Sequence, residues 1–174
     1  IKAYTVENGN PVYTSKNGVI YADKGKTLYA YPAGSTASSF AIPSGVTKIG
    51  DAAFISAKYL MAVTFPSSVK TLGASAFQGS GLRSVTIPDT VTSVDNFTFY
   101  EAGVKTVTFG KGLKTTAYEM FEKCRELETI NFGGIQELDA RTFAYCSSLE
   151  NVTIPAGVKR IGNGTFGECW MLET

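Results

Sequence analysis

The chain has 174 residues, enough for one domain with a sizeable core. Sixteen Lys and Arg nearly cancel fifteen Asp and Glu, which argues against a nucleic-acid partner, since that ligand selects a basic stripe. Histidine is absent, which excludes Ser-His-Asp and Cys-His nucleophilic sites and His-containing zinc sites, and no apolar run reaches the roughly 20 residues needed to span a bilayer.

The first readable element is a β-meander over residues 12–31. Asn17-Gly18 is a two-residue hairpin signal flanked by Val12-Tyr13-Thr14 and Val19-Ile20-Tyr21. Asp23-Lys24-Gly25-Lys26 supplies a second turn before Leu28-Tyr29-Ala30-Tyr31. Five of the nine tyrosines lie in the first 31 residues, so this segment either packs onto the repeat array with its phenol tips in water or offers a platform to a sugar or peptide.

From residue 36 onward the chain repeats. Phe54, Phe77, Phe99, Phe121, Phe143 and Phe166 recur at spacings of 23, 22, 22, 22 and 23. Three residues after each comes a small residue, in turn Ala57, Ser80, Ala102, Cys124, Cys146 and Cys169. An apolar column comes next at Leu60, Leu82, Val104, Leu127, Leu149 and Leu172, then a second at Val63, Val85, Val107, Ile130 and Val152. A third comes two residues later, at Phe65, Ile87, Phe109, Phe132 and Ile154. Alternation such as Val63-Thr64-Phe65 predicts a strand with one buried face, ended by Pro66, Pro88 or Pro155, or by Gly110 or Gly133 in their place. Two more columns, Val69, Val91, Leu113, Ile135, Val158 and Leu72, Val94, Thr116, Leu138, Ile161, close the unit. The short segment before each Phe, as in Gly50-Asp51-Ala52-Ala53, permits a helical turn. A unit of about 22 residues cannot bury its own apolar stripe, so neighbouring units must stack.

The pattern L-x-x-[VI]-x-[IF]-P, then V-x-x-[IL] and F-x-x-[CA], resembles the BspA-like class of bacterial surface leucine-rich repeats over residues 36–174, as six copies. Asn10-Pro11, Tyr13, Gly18-Val19-Ile20-Tyr21 and Tyr31-Pro32 are similar to an inserted segment of that class. The resemblance implies an α/β fold: a right-handed leucine-rich-repeat solenoid, its parallel β-sheet backed by short helical turns, with an N-terminal β-meander. It divides the chain into residues 1–35, a partial strand unit plus meander insert or cap, and residues 36–174, one continuous array. Ile1 to Val6 resembles the tail of an earlier unit, and Glu173-Thr174 stands where another strand would begin, so the native protein is expected to continue in at least one direction. The family implies a secreted or surface-anchored protein that adheres to host matrix, cells or other microbes. Thr116, in an apolar column, and the shortening at Gly133-Gly134 depart from the pattern and predict irregularity near the fourth and fifth copies.

Two surfaces are candidate binding sites. The outward strand positions, Thr64, Thr86, Thr108, Asn131 and Thr153, form either a threonine ladder explained by β-propensity or a flat polar face for a protein or glycan. The position after the first Leu column reads Met61, Arg83, Lys105, Glu128, Glu150, Glu173, a charged stripe turning from basic to acidic. Lys105 and Glu128 should be neighbours, and stacked glutamates could take a basic partner or a weakly held calcium ion, although no dense Asp-x-Asp loop supports the latter. The cysteine column reads as buried free thiols, because parallel side-chain vectors and an odd count disfavour a disulfide. Glu119, Glu122, Glu126 and Glu128 cluster, mostly on an expected exposed turn, which does not make a catalytic carboxylate pair. Trp170 either anchors a partner or packs on a following unit. The expectation is therefore a protein- or glycan-binding module without enzyme activity, cofactor or metal, and without membrane insertion. The alternative is a structural spacer with no ligand.

Overall fold

A computed structural model describes residues 1–173. Thirteen short strands form a β-solenoid of about six coils among the described residues. Strands β1 (Thr14–Lys16), β2 (Val19–Ala22) and β3 (Thr27–Ala30) make the antiparallel meander. Its first turn is Asn17-Gly18, both with positive φ, as a type I′ hairpin requires. The second is a 3-10 turn at Asp23–Gly25. The meander does not stand apart from the repeats: β3 pairs in parallel with β5 (Lys48–Ile49), which pairs with β7 (Thr71–Leu72) and then β9 (Ser93–Val94). Residues 1–7 form no strand, and Tyr4 donates its backbone N–H to the Gly18 carbonyl at 3.0 Å.

The alternating segments build a second parallel ladder. β4 (Ser39–Ala41) pairs with β6 (Ala62–Thr64), and β8 (Ser84–Ile87) pairs with β10 (Thr106–Phe109), which pairs with β11 (Thr129–Asn131). This ladder is interrupted between β6 and β8. The β3–β5–β7–β9 ladder stops at Val94 and resumes as a bridge from Thr115 to β12 (Glu137–Leu138), which pairs with β13 (Arg160–Ile161). The second interruption coincides with Thr116. That side chain stays buried, and its hydroxyl is 2.8 Å from the Thr142 hydroxyl and accepts the Asp139 N–H at 2.9 Å. A polar residue thus keeps an interior position because both its donor and its acceptor capacity are used. Gly133 is required at the other departure, where φ is +53° and a Cβ would overlap the Phe109 carbonyl.

The expected helical turns are absent: no α-helix occurs among the described residues. The segments before and through each Phe are instead chains of tight turns in which alternate amides point in different directions. Ala53, Ile55 and Ala57 donate to the carbonyls of Gly50, Ala52 and Phe54, three residues back. Ala52, Phe54 and Ser56 donate to Ala74, Ala76 and Gln78 in the next coil, at 2.7–2.8 Å. Phe77, Phe99, Phe121 and Phe143 make the same bond onward, to Thr98, Met120, Thr142 and Thr165. An α-helix would send every amide four residues back and leave none for the neighbour, and so short a segment nucleates poorly. The arrangement places non-glycine residues, among them Ala52, Ser56, Glu101, Lys123 and Tyr145, at φ of 53–60°. The left-handed cost of about 1–2 kcal/mol per residue is offset by hydrogen bonds between coils.

Inside, the six phenylalanines stack with centroids 4.8–5.7 Å apart and planes within 5–16° of parallel. Tyr31 heads the column, 5.0 Å from Phe54. Phe65 and Phe109, from the strand columns, meet Phe77 and Phe121 edge-on at 5.8 and 5.9 Å. Cys124, Cys146 and Cys169 are buried free thiols that donate to the carbonyls of Phe99, Phe121 and Phe143 at 3.1–3.3 Å. Burial pushes the Cys124 thiol up to about 12 and raises the other two as well.

Candidate binding face

The ladder β8–β10–β11 presents a flat row of small hydroxyl and amide groups. Thr86, Thr108 and Asn131 are in register across β8, β10 and β11, and the Asn131 side-chain amide donates to the Thr108 hydroxyl at 3.1 Å. A second row, Ser84, Thr106 and Thr129, runs beside it in the same register. Alternation in Thr106-Val107-Thr108 puts two residues on the outward side, so period-2 spacing carries this row as well, beyond the central threonines expected from the sequence. Thr86 and Asn131 are exposed, and Thr108 between them is half-buried. Thr64 is first of the same column in sequence but lies beyond the interruption, on β6, where it is exposed. Thr153 does not share the row: residues 151–155 form no strand, and its exposed side chain lies off the ladder. In that last coil Ile154 is also exposed, so the apolar alternation Val152-Thr153-Ile154 is present without the packing that would hold a strand.

The charged stripe runs along the edge of this face. Lys105 Nζ lies 3.5 Å from Glu128 and 3.9 Å from Glu126, so the expected neighbours do meet. Arg83 donates to the Met61 sulfur at 3.5 Å. Glu128 and Glu150 line a shallow recess of about 350 Å³ with Ser148, Asn151 and Met171. Glu173 is exposed, and its backbone N–H reaches the Glu150 carbonyl at 3.0 Å. Among the described residues no group of three or more Cys, Asp or Glu is placed to hold a metal ion.

Two of the four clustered glutamates, Glu119 and Glu122, are not exposed. Glu122 is only 3% exposed, and Arg141 grips it through two hydrogen bonds of 2.9 Å while also reaching Glu119 at 3.1 Å. The paired guanidinium is the better-attested use of a buried carboxylate, since an unpaired charge there would be costly. The Arg141 proton is held more tightly than usual, chiefly by the Glu122 hydrogen bond. Next to Glu122 in the same coil, Lys123 reaches back to the preceding coil, where it lies over the Tyr100 ring, contacts its hydroxyl and pairs with Glu101 at 3.5 Å. These pairs tie coils together on the turn side. Of the N-terminal tyrosines, Tyr21 and Tyr31 are buried, whereas Tyr13 and Tyr29 pack at 4.9 Å and line a recess of about 410 Å³ with Glu7, Asn10 and Ile20. Trp170 is 78% exposed beside Arg125 and Tyr145.

The family model for the BspA type leucine rich repeat region matches residues 28–135 and 72–174, as six copies. The chain belongs to the BspA-type leucine-rich-repeat family. It is similar to a solved leucine-rich repeat protein from Eubacterium ventriosum, 27% identical with a TM-score of 0.73, over 97% of this chain and 52% of that one. A leucine-rich repeat protein from Bacteroides ovatus is 26% identical with a TM-score of 0.75, over 94% of this chain and 43% of that one. The BspA-type chain thus spans about half the length of these relatives. No curated protein matches it. Among its described residues no helix is long and apolar enough to cross a membrane.

Proposed function

We propose that this BspA-type chain is a non-catalytic adhesion module of a bacterial surface or secreted protein, binding a host or microbial macromolecule through the ladder β8–β10–β11. The observation that carries the reading is the double row Ser84, Thr86, Thr106, Thr108, Thr129 and Asn131, held in register over three strands. The backbone amides of β10 and β11 are engaged within the sheet, so the face offers side chains on a rigid base. The charged stripe from Arg83 and Lys105 to Glu128, Glu150 and Glu173 borders it and supplies orientation and salt dependence. Cell-surface or extracellular location rests on what the family resemblance implies. A protein or glycan ligand fits a polar surface without a deep cavity.

The test is binding of the folded chain to immobilised matrix proteins and glycans, at two salt concentrations and with calcium or chelator. Saturable binding lost on Thr86→Arg, Thr108→Arg or charge reversal at Glu128 and Glu150, with unchanged melting, is the expected result. A folded protein that binds nothing on the panel would favour the second reading, a spacer array, which the small neutral side chains of this face also suit.

A further inference from the structure

Two consecutive repeats are one residue shorter than their neighbours at the same place. Between the small-residue column and the Leu column stand Lys58-Tyr59, Arg125-Glu126, Ser147-Ser148 and Trp170-Met171 in four copies, but Gly81 alone and Gly103 alone in the other two. The shortening cuts a notch two coils wide into the edge of the solenoid. Gly81 and Gly103 form its floor, and the open space there measures about 310 Å³. Lys58, Tyr59 and Met61 wall one side and Glu126 the other, about 14 Å away at three coil spacings.

The chemistry of the walls is uneven. Glu126 faces Lys105, and Glu101 faces Lys123. Among the described residues Lys58 and Arg83 have no carboxylate partner, and both are exposed. Beside them the Tyr59 side chain is 60% exposed, although most tyrosine in this molecule is packed. The floor offers no backbone donors, because the Gly81 and Gly103 amides are given to the carbonyls of Ala57 and Ser80 at 3.1 and 3.0 Å. A peptide recognised through its backbone needs free amides or a sheet edge, and neither is present here. A sugar ring needs an aromatic face and side-chain hydrogen bonds, and a carboxylate on it suits the planar fork of Arg83.

Resting on the adhesion reading, we infer that the notch floored by Gly81 and Gly103 binds a carboxylated sugar unit of a glycan, with Tyr59 against the ring and Lys58 and Arg83 answering the carboxylate. The site is distinct from the threonine rows and sets which glycans the module accepts.

Gly103 allows a direct test. The atoms nearest to a Cβ there are the Leu82 and Ser80 carbonyl oxygens and the Gly81 carbonyl carbon, at 3.6–3.8 Å, and the φ is not left-handed, so the backbone accepts a side chain at this position and Gly103→Leu adds bulk to the notch floor. At Gly81 a Cβ would overlap the Lys58 carbonyl, so that position is unsuitable. The full chain is titrated with an oligogalacturonate, with the same oligosaccharide after carboxyl reduction, and with a glutamate-rich peptide. The expected result is salt-sensitive binding of the oligogalacturonate alone, weakened about tenfold by Arg83→Gln and lost in Gly103→Leu, with unchanged melting. Equal binding of the reduced sugar, stronger binding of the peptide, or undiminished binding by Gly103→Leu would each overturn the proposal. Should Gly103→Leu fold poorly, the surface variant Lys58→Gln/Arg83→Gln gives the same decision. Gly103→Leu and Lys58→Gln are also run on the matrix panel: if panel binding persists while no acidic sugar binds, the notch assignment fails and the adhesion reading stands. If acidic sugar binds at the notch while the Thr86 and Thr108 variants change nothing, the threonine face is the part that fails.

Discussion

Phe121 shows how a single side chain is held. Its ring lies 4.9 Å from Phe99 and 5.6 Å from Phe143, both nearly parallel, while Phe109 meets it edge-on. It has no solvent exposure. Backbone hydrogen bonds pin the neighbouring coils along both ladders and the turn side, so a vacancy here cannot collapse. Phe121→Ala should therefore cost about 3–5 kcal/mol in denaturant unfolding. A loss below about 1 kcal/mol would mean that the stacked column does not set coil spacing. Cys124 gives a prediction with a sign. Its thiol is raised by burial from 9.0 to about 12, so the folded chain keeps a proton that the unfolded chain releases. The stabilising contribution is complete below the unfolded value and is lost as pH rises from there toward about 12. Between pH 9 and 11, wild-type stability should fall more steeply than that of Cys124→Ala, by about 1 kcal/mol per pH unit. Parallel curves would show that the thiol ionises freely in the folded state.

At the scale of the element, the strands were legible and the turns were not. The columns Val85, Val107, Ile130 and Ile87, Phe109, Phe132 repeat with period 2 inside a 22-residue unit, and only a strand ladder buries both. Gly50-Asp51-Ala52-Ala53-Phe54 carries no comparable signal, because alanine is a good helix former and nothing local forbids a helical turn. What decides against it is the next coil, whose carbonyls lie opposite alternate amides. That information is absent from any single repeat. The candidate site divides the same way: Thr86, Thr108 and Asn131 follow from alternation, whereas the loss of Thr153 from the ladder reflects how the last coil packs. The glycine notch is visible as a spacing difference of one residue, but its walls come from residues three coils apart. The turn geometry is testable at Ala52, whose φ is 53°. Ala52→Gly should raise stability by about 0.5–1 kcal/mol, against the usual penalty for glycine, while Ala53→Gly should lower it. Destabilisation by both would mean that Ala52 is not left-handed in solution.

The molecule as a whole is a one-dimensional stack, so its stability should vary along its length rather than belong to one core. The central coils carry the longest uninterrupted ladder of the threonine face, β8 to β10 to β11, and tight ring stacking, whereas the last coil exposes Ile154 and Ile161 and forms no strand over residues 151–155. The meander extends the shorter-stranded ladder at the other end, where Tyr31 covers Phe54, so the two ends are not equivalent. Opening from the exposed end requires breaking only one interface between coils, but opening a central coil requires breaking two. In the 174-residue chain, amide hydrogens of Phe77, Phe99 and Phe121 should exchange at least about a hundredfold more slowly than those of residues 151–173, with the meander intermediate. Uniform exchange would imply a two-state unit in which the coils unfold together, and the binding face would then share the global stability. A gradient instead places the row Thr86–Thr108–Asn131 on the most rigid part of the stack, where a face without deep pockets can keep the register on which recognition by small side chains depends.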